Sequence, residues 1–410
     1  SRMSSQTEQE FHLFEAVIAE GERRYTTEKP LNMGGSVLRW NIDSGFFTST
    51  DGFGFEFAGK DQDDRRGLEC APLELFIDGN SMLHGRVDIT RRGDRGPSIV
   101  TVTGRDYIAD LVEGNVDPAV SIAPGTMLDE AILTACAPYG IIEVEGPESR
   151  QVARTKKQQK PAKRRSKKQI TDAKPEPGQG CYDWCNKILA RHHLTLQPGS
   201  EPTKIVLQAP NYDQVSIGRI IRKNVDDRTV GNVIEGVATR DYSRVPTHGM
   251  FAGRQGKPTE KTSRTVTHFD IRSIVSAMGD EISRASKYMA EGRLLPKKRQ
   301  FSIPRQLYRL LYWRDELAKN QEQIDASLKR AVADRTKETL VYEVTVHGLC
   351  DPQTGYYWAV DTIVDVDDDV ADVHEKLWVE TRNASFDGNQ YRAFMRCYRP
   401  GSFVIGDENG

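Results

Sequence analysis

The sequence predicts an α+β fold that is mainly antiparallel β, with two small β-barrels and a helix-containing middle domain. Two observations point to it. Apolar and polar residues alternate with period two over residues 73–103 and again over 342–397, and β-branched side chains that pack well on a pleated surface dominate there. Between these stretches the spacing is helical: Leu128, Ala131, Ile132, Ala135 and Cys136, then Cys181, Trp184, Cys185, Ile188 and Leu189.

The chain reads in order as follows. Residues 1–30 form an N-terminal arm with a short helix carried by Phe11, Leu13, Phe14, Val17 and Ile18. Residues 31–112 are the first barrel. Within it, 36–60 give two strands around Gly/Ser/Asp turns, and three more strands follow. Leu73, Leu75 and Ile77 share one face, Asp78-Gly79-Asn80 turns the chain, and residues 82–89 are the next strand, with Val87 and Ile89 expected on one face. After a polar turn at 91–97, Val100 and Val102 alternate with Ile99, Thr101 and Thr103. Residues 113–207 are the middle domain, in which Thr126 caps the first helix and Pro138-Tyr139-Gly140 stops it. Its loop 146–180 is basic, poor in large apolar residues and unable to bury a core. Residues 208–245 open the second barrel. Residues 246–338 are an irregular and helical insertion with helices over 271–289 and 308–337, the latter on Ile324, Leu328, Ala331 and Val332. Residues 339–410 close the second barrel as a meander, with a turn expected at 383–389.

Composition narrows the function. The chain of 410 residues is long enough for more than one core. Mean hydropathy is -0.59, and no apolar run reaches the roughly 18 residues that a membrane span needs. No apolar signal core opens the sequence. Six cysteines at 70, 136, 181, 185, 350 and 397 are scattered as expected of buried free thiols in a reducing compartment. The net charge of -2 conceals a split. Residues 150–168 hold ten Lys/Arg and no acid, which leaves 47 basic against 59 acidic residues elsewhere.

Several short motifs occur in one order. They are Gly85-Arg86-Val87-Asp88, the stretch from Val100 to Asp106, Asp110-Leu111-Val112, Pro138-Tyr139-Gly140-Ile141, Asn232 with Glu235 and Gly236, Val344-x-Val346-x-Gly348, Gly355-x-x-Trp358, and Val364-x-Val366 before an acidic loop. This series resembles the baseplate hub proteins of contractile phage tails, the Mu-type tail protein P and late-control protein D group, to which the hub domain of type VI secretion spike proteins is related. The resemblance covers most of residues 36–403, though a basic insertion such as 150–168 is not a general feature of the family. It implies a homotrimer that meets a tail tube protein, a central spike protein and other baseplate proteins. Two similar barrels in each of three copies would offer six roughly equivalent units to a sixfold tube and three to a threefold spike. It also implies a channel for DNA or the tape-measure protein, no enzymatic activity, no cofactor, and a place in the virion tail after assembly in the host cytoplasm. An acidic lumen would let DNA pass without sticking.

The candidate chemistry is sparse. Arg105, Asp106 and Asp110 stand at a strand-to-helix corner, where an Arg–carboxylate pair and a helix cap are expected rather than catalysis. Cys181-x-x-x-Cys185 with His192-His193 has metal-ligand residue types, but both cysteines lie on the apolar stripe of a helix and read as core. The acidic stretch 365–375 lacks the central glycine of a calcium loop and reads as a solvated hairpin tip facing a partner. Asp63-Asp64 forms no acid/base constellation, and no P-loop, Ser-His-Asp grouping or H-E-x-x-H occurs. The ribbon of Arg154, Lys156, Lys157, Lys160, Lys163, Arg164, Arg165, Lys167 and Lys168 is either a solvated loop or a contact for an acidic neighbouring subunit, nucleic-acid phosphates or anionic lipid. Two other classes stay open: a nucleic-acid-binding protein acting through 150–168, and a tail-associated cell-wall hydrolase.

Overall fold

A computed structural model describes residues 12–146, 175–244 and 333–403 apart from short breaks, together with strands 248–254, 261–265 and 310–315. The chain divides into two compact units, Ser1–Gly236 with Glu343–Cys397, and Val237–Tyr342 with Tyr398–Gly410.

In the first unit, seven strands close a barrel. They are β1 (Phe14–Ile18), β2 (Arg23–Thr26), β3 (Ser36–Gly45), β4 (Gly52–Ala58), β5 (Pro72–Ile77), β6 (Asn80–Arg92) and β7 (Ile99–Asp106). The ring runs β3-β2-β1-β5-β6-β7-β4 and returns to β3. Inward positions alternate as the sequence pattern requires, and aromatic rings fill the interior. Phe14 stacks on Trp40 with centroids 4.9 Å apart, Tyr25 meets Phe57 at 4.2 Å, and Phe53 and Phe55 complete the filling. The barrel is therefore packed solid. Asp78 and Gly79 both adopt positive φ, 51° and 77°, which is the backbone a two-residue hairpin turn between β5 and β6 demands.

The middle of the chain packs α1 (Ile108–Glu113), α2 (Leu128–Cys136) and α3 (Cys181–Leu189) with a sheet of β8 (Glu143–Glu145), β9 (Thr195–Pro198) and β10 (Lys204–Gln208). One apolar core unites them, from Ile108 and Leu111 through Ile132 and Trp184 to Ile205 and Leu207.

A second row of seven strands follows. It contains β11 (Gly218–Val225), β12 (Arg228–Gly231) and β13 (Val233–Thr239). A separate three-stranded sheet, β14 (His248–Arg254), β15 (Lys261–Thr265) and β16 (Leu310–Asp315), belongs to the second unit. The row is completed by β17 (Val341–His347), β18 (Ile363–Asp368), β19 (Val373–Phe386) and β20 (Tyr391–Tyr398). Its order is β12-β11-β18-β19-β20-β17-β13. Asn232, between β12 and β13, draws the ends together. Its N–H donates to Ile221 O at 3.0 Å, its carbonyl accepts from His347 N at 2.8 Å, and its side chain bonds Ile221 N and Arg219 O at 2.8 Å each. Gly231 precedes it at φ 146°, where a Cβ would lie 1.8 Å from Ile221 O, so only glycine fits.

The two rows are joined through one strand. β19 pairs with β18 through Val373–Trp378 and with β3 through Thr381–Phe386.

Four expectations are corrected. The arm's helix is instead the strand pair β1 and β2, and β1 lies against β5 inside the first barrel. Phe14, Ala16 and Ile18 point inward at period two, which so short a segment cannot distinguish from helical spacing. Helix α2 starts one residue later than expected: Met127 is its N-cap, and the Thr126 hydroxyl donates back to Ala123 O. The helix at 308–337 gives way to strand β16 at its start, where Leu310, Leu311, Tyr312 and Trp313 favour a pleated surface, and to a 3-10 turn at Lys337–Thr339. The turn at 383–389 begins only after Phe386, because 383–386 are held in the ladder to β3. The helix at 271–289 and Ile324, Leu328, Ala331 and Val332 lie outside the described residues.

Candidate functional site

The motif-bearing corner between β6, β7 and α1 is built by close backbone approach. A Cβ on Gly104 would lie 2.0 Å from Arg86 O, and one on Gly85 would lie 2.3 Å from Arg105 O. The two glycines thus let β6 and β7 cross tightly. Arg86 and Arg105 are direct partners across the ladder, a repulsive arrangement if left alone. Each is answered by acids. Arg105 donates to Asp88 at 2.7 Å and to Glu113 at 2.6 Å, and Arg86 donates to Asp110. Asp88 is the extra residue of a bulge between Val87 and Ile89, which turns its carboxylate toward Arg105. The hydrogen bonds with Asp88 and Glu113 hold Arg105 firmly protonated.

Asp106 does not pair with Arg105. It is buried and accepts from Ile108 N at the start of α1 and from Asp51 N, both at 3.0 Å. Burial pushes its carboxyl up to about 7, the backbone donors pull against that, and the like charge of Asp51 adds to it. Burial likewise raises Asp51 to about 6, against hydrogen bonds from Gly45 N and the Ser44 side chain. Both acids border a cleft of about 270 Å³ shared with His84, Tyr107 and Lys204.

The acidic hairpin β18–β19 is tied to its own chain rather than simply solvated. Asp368 is fully buried and takes Arg222 in a two-pronged bond of 2.8 and 2.7 Å, while its Oδ1 also accepts from Val370 N and Ala371 N. Lys223 donates to Asp367 and, at 3.0 Å, to Asp369. His374 lies 2.8 Å from Asp367. Asp367, Asp369 and His374 could together hold a cation, but the Lys223 ammonium bonds both of those aspartates.

Two constellations escaped the sequence. Asp78, in the hairpin turn, accepts from Leu13 N at 2.7 Å and from the Tyr357 hydroxyl, and lies 2.7 Å from His12 Nδ1. It fastens His12 and Leu13, which lead into β1, to the turn between β5 and β6. The far nitrogen of that buried imidazole lies 3.9 Å from the Cys350 sulfur. The second constellation adds Cys136 to Cys181 and Cys185. The sulfurs of Cys136 and Cys185 are 3.7 Å apart, all three lie within 4.8 Å of one another, and all three residues are buried. Hydrogen bonds with Cys136 and Cys185 lower the Cys181 thiol, and hydrogen bonds with Cys136 and Cys181, together with burial, push Cys185 up. No sequence spacing links Cys136 to the pair on α3, because the contact is purely tertiary. The basic residues Arg154, Lys156, Lys157, Lys160, Lys163, Arg164, Arg165, Lys167 and Lys168 lie outside the described residues, as does His193.

No protein-family model and no curated protein sequence matches this chain. Solved structures do. A tail protein from Neisseria meningitidis MC58 superposes with a TM-score of 0.68 at 16% identity, covering 96% of this chain and 98% of that one. The 43 kDa tail protein of prophage MuSo2 from Shewanella oneidensis gives 0.65 at 16% identity over 96% and 99%. A chain of the Francisella PdpA–VgrG complex gives 0.52 at 9% identity, covering 97% of this chain but 53% of that one. Among the described residues no helix is long and apolar enough to cross a membrane. From its first barrel to its closing meander, the chain has the fold of phage tail proteins.

Proposed function

We propose that this chain is the structural hub of a contractile-tail baseplate or a related injection particle. It works as a homotrimer that adapts a sixfold tail tube to a threefold spike, without enzymatic activity of its own. The observation that carries this reading is the pair of seven-stranded rows joined through β19, in a chain whose fold matches two tail proteins along nearly their whole lengths. Three such pairs give six β units around one axis.

The first barrel is filled with aromatic side chains, so a passage for DNA or the tape-measure protein has to lie between subunits rather than through a barrel. Val225, Val230 and Ile234 are exposed apolar side chains on β11, β12 and β13, and subunit contact would cover them. The corner of Arg105, Asp106 and Asp110 serves this assembly by holding the turn from β7 into α1 in one shape. The ribbon 150–168 meets an acidic surface of a neighbouring subunit.

Native mass spectrometry of the purified chain tests the assembly. A trimer with threefold symmetry in negative-stain images is expected. A monomer that persists at high concentration, with or without a tail tube protein, would overturn it.

A further inference from the structure

We propose that Cys136, Cys181 and Cys185 form a binding site for one thiophilic metal ion, zinc(II) or copper(I), inside the middle domain. The site goes beyond the hub reading and does not depend on it.

Three thiols are brought together from two helices that are distant in sequence. Cys136 is the last residue of α2, and Cys181 and Cys185 stand one turn apart on α3. A metal–thiolate bond of about 2.3 Å places neighbouring sulfurs about 3.8 Å apart in a tetrahedron and about 4.0 Å apart in a trigonal plane. The Cys136 to Cys185 separation of 3.7 Å, with the third sulfur within 4.8 Å of both, falls close to those edges. An ion can therefore be seated by small rotations about side-chain bonds, with both helices left in place.

The ligand set selects the ion. Sulfur donors in an apolar surround favour soft d10 cations and discriminate against magnesium, calcium or manganese. Among the described residues, no His, Asp or Glu joins the three sulfurs within the same reach. Three thiolates alone suit trigonal copper(I), and zinc(II) would complete its shell with a small exogenous ligand. Cys181 opens the nine-residue α3, so its sulfur sits where the helix N-terminus favours negative charge. Zinc(II) cancels two of the three thiolate charges and copper(I) cancels one, unless a thiol keeps its proton. Each binding event exchanges thiol protons for the metal, so no oxidant or reductant is required.

The position gives the ion a structural task. It would tie the C-terminal end of α2 to the N-terminal half of α3 across the long connection 137–180.

The test uses the full-length chain, reduced and freed of metal, loaded separately with zinc(II) and with copper(I) under anaerobic conditions. The expected result is about one equivalent of one of these ions per chain, with a raised thermal midpoint. Cobalt(II) in place of zinc should give a thiolate-to-metal charge-transfer band. Cys136→Ala should lose the bound ion, whereas Cys70→Ala, at an exposed cysteine, should keep it. Alkylation mapped by peptide mass, with and without metal in partly unfolding urea, supplies a readout that needs no variant to fold: metal should slow reaction of the buried 136, 181 and 185 and leave that of the exposed 70 unchanged. Uptake below about a tenth of an equivalent of either ion would overturn the proposal. So would full retention by a folded Cys136→Ala, which marks an adventitious ion, or metal-dependent protection that maps to other cysteines. A disulfide within the trio in protein purified under reducing conditions would overturn it as well.

Discussion

Asn232 does the work of a missing ladder. Four hydrogen bonds from one residue connect β11 to β17, where the second row of strands would otherwise have two loose ends. Asn232→Ala leaves the two main-chain bonds and removes both side-chain bonds, one of them to Ile221 N. A loss of about 1–3 kcal/mol in urea unfolding is expected, the usual effect of orphaning such groups. Asp106 gives a second prediction, in pH. Its folded pKa of about 7 stands above the ordinary carboxyl value of 3.8, so the fold favours the neutral acid. That contribution is fully present below the unfolded value and is lost as pH rises through about 7. The thermal midpoint should therefore climb as pH is lowered from about 8 to about 5. Asp51→Asn keeps an acceptor for Gly45 N and removes the like charge, and should move this transition to lower pH. Acids whose pKa is depressed, such as Asp367 and Asp387, act only below 3.8 and leave this window untouched.

At the scale of elements, the sequence was legible wherever alternation ran long enough. Residues 73–77 and 99–103 are strands in the expected phase, and the helical stripes of α2 and α3 form one core. It was illegible where local signals and tertiary pairing disagree. Asn383, Ser385 and Asp387 carry turn chemistry, yet β19 extends to Phe386 because β3 offers it a ladder and Asp43 takes the Asn383 amide. The corner shows the same limit. Its residues were identifiable, but their partners were not: Arg105 selects Asp88 and Glu113, and Asp106 serves backbone N–H groups. The acidic hairpin was judged by composition alone, which hides that one of its carboxylates is buried on Arg222. Asp368→Ala should cost about 3–5 kcal/mol in chemical unfolding, because it strands a buried guanidinium. Lys376→Ala, an exposed side chain of the same hairpin, should change stability by less than about 0.5 kcal/mol.

At the scale of the whole molecule, motif order carried further than any single motif. Each motif taken alone is short, and it is their sequence along the chain that matches a fold also found in tail proteins at 16% identity. The proposed assembly makes its own prediction. Val225→Asp with Val230→Asp should convert a trimer to a monomer in native mass spectrometry while circular dichroism stays unchanged. Deleting 150–168 should weaken association between subunits in a salt-dependent way if the ribbon meets an acidic neighbour. A salt-dependent loss of DNA mobility shift on the same deletion would favour the nucleic-acid reading instead.

The joining strand β19 also has a mechanical consequence. It is part of the second row, and its residues Thr381–Phe386 also pair with β3 of the first barrel. Torque applied to the first barrel is therefore passed to the second row through the β3–β19 ladder, and a swivel between them would first have to tear the six paired positions that hold Thr381–Phe386 to β3. In the proposed hub, this joint would be a stiff coupling in place of a pivot.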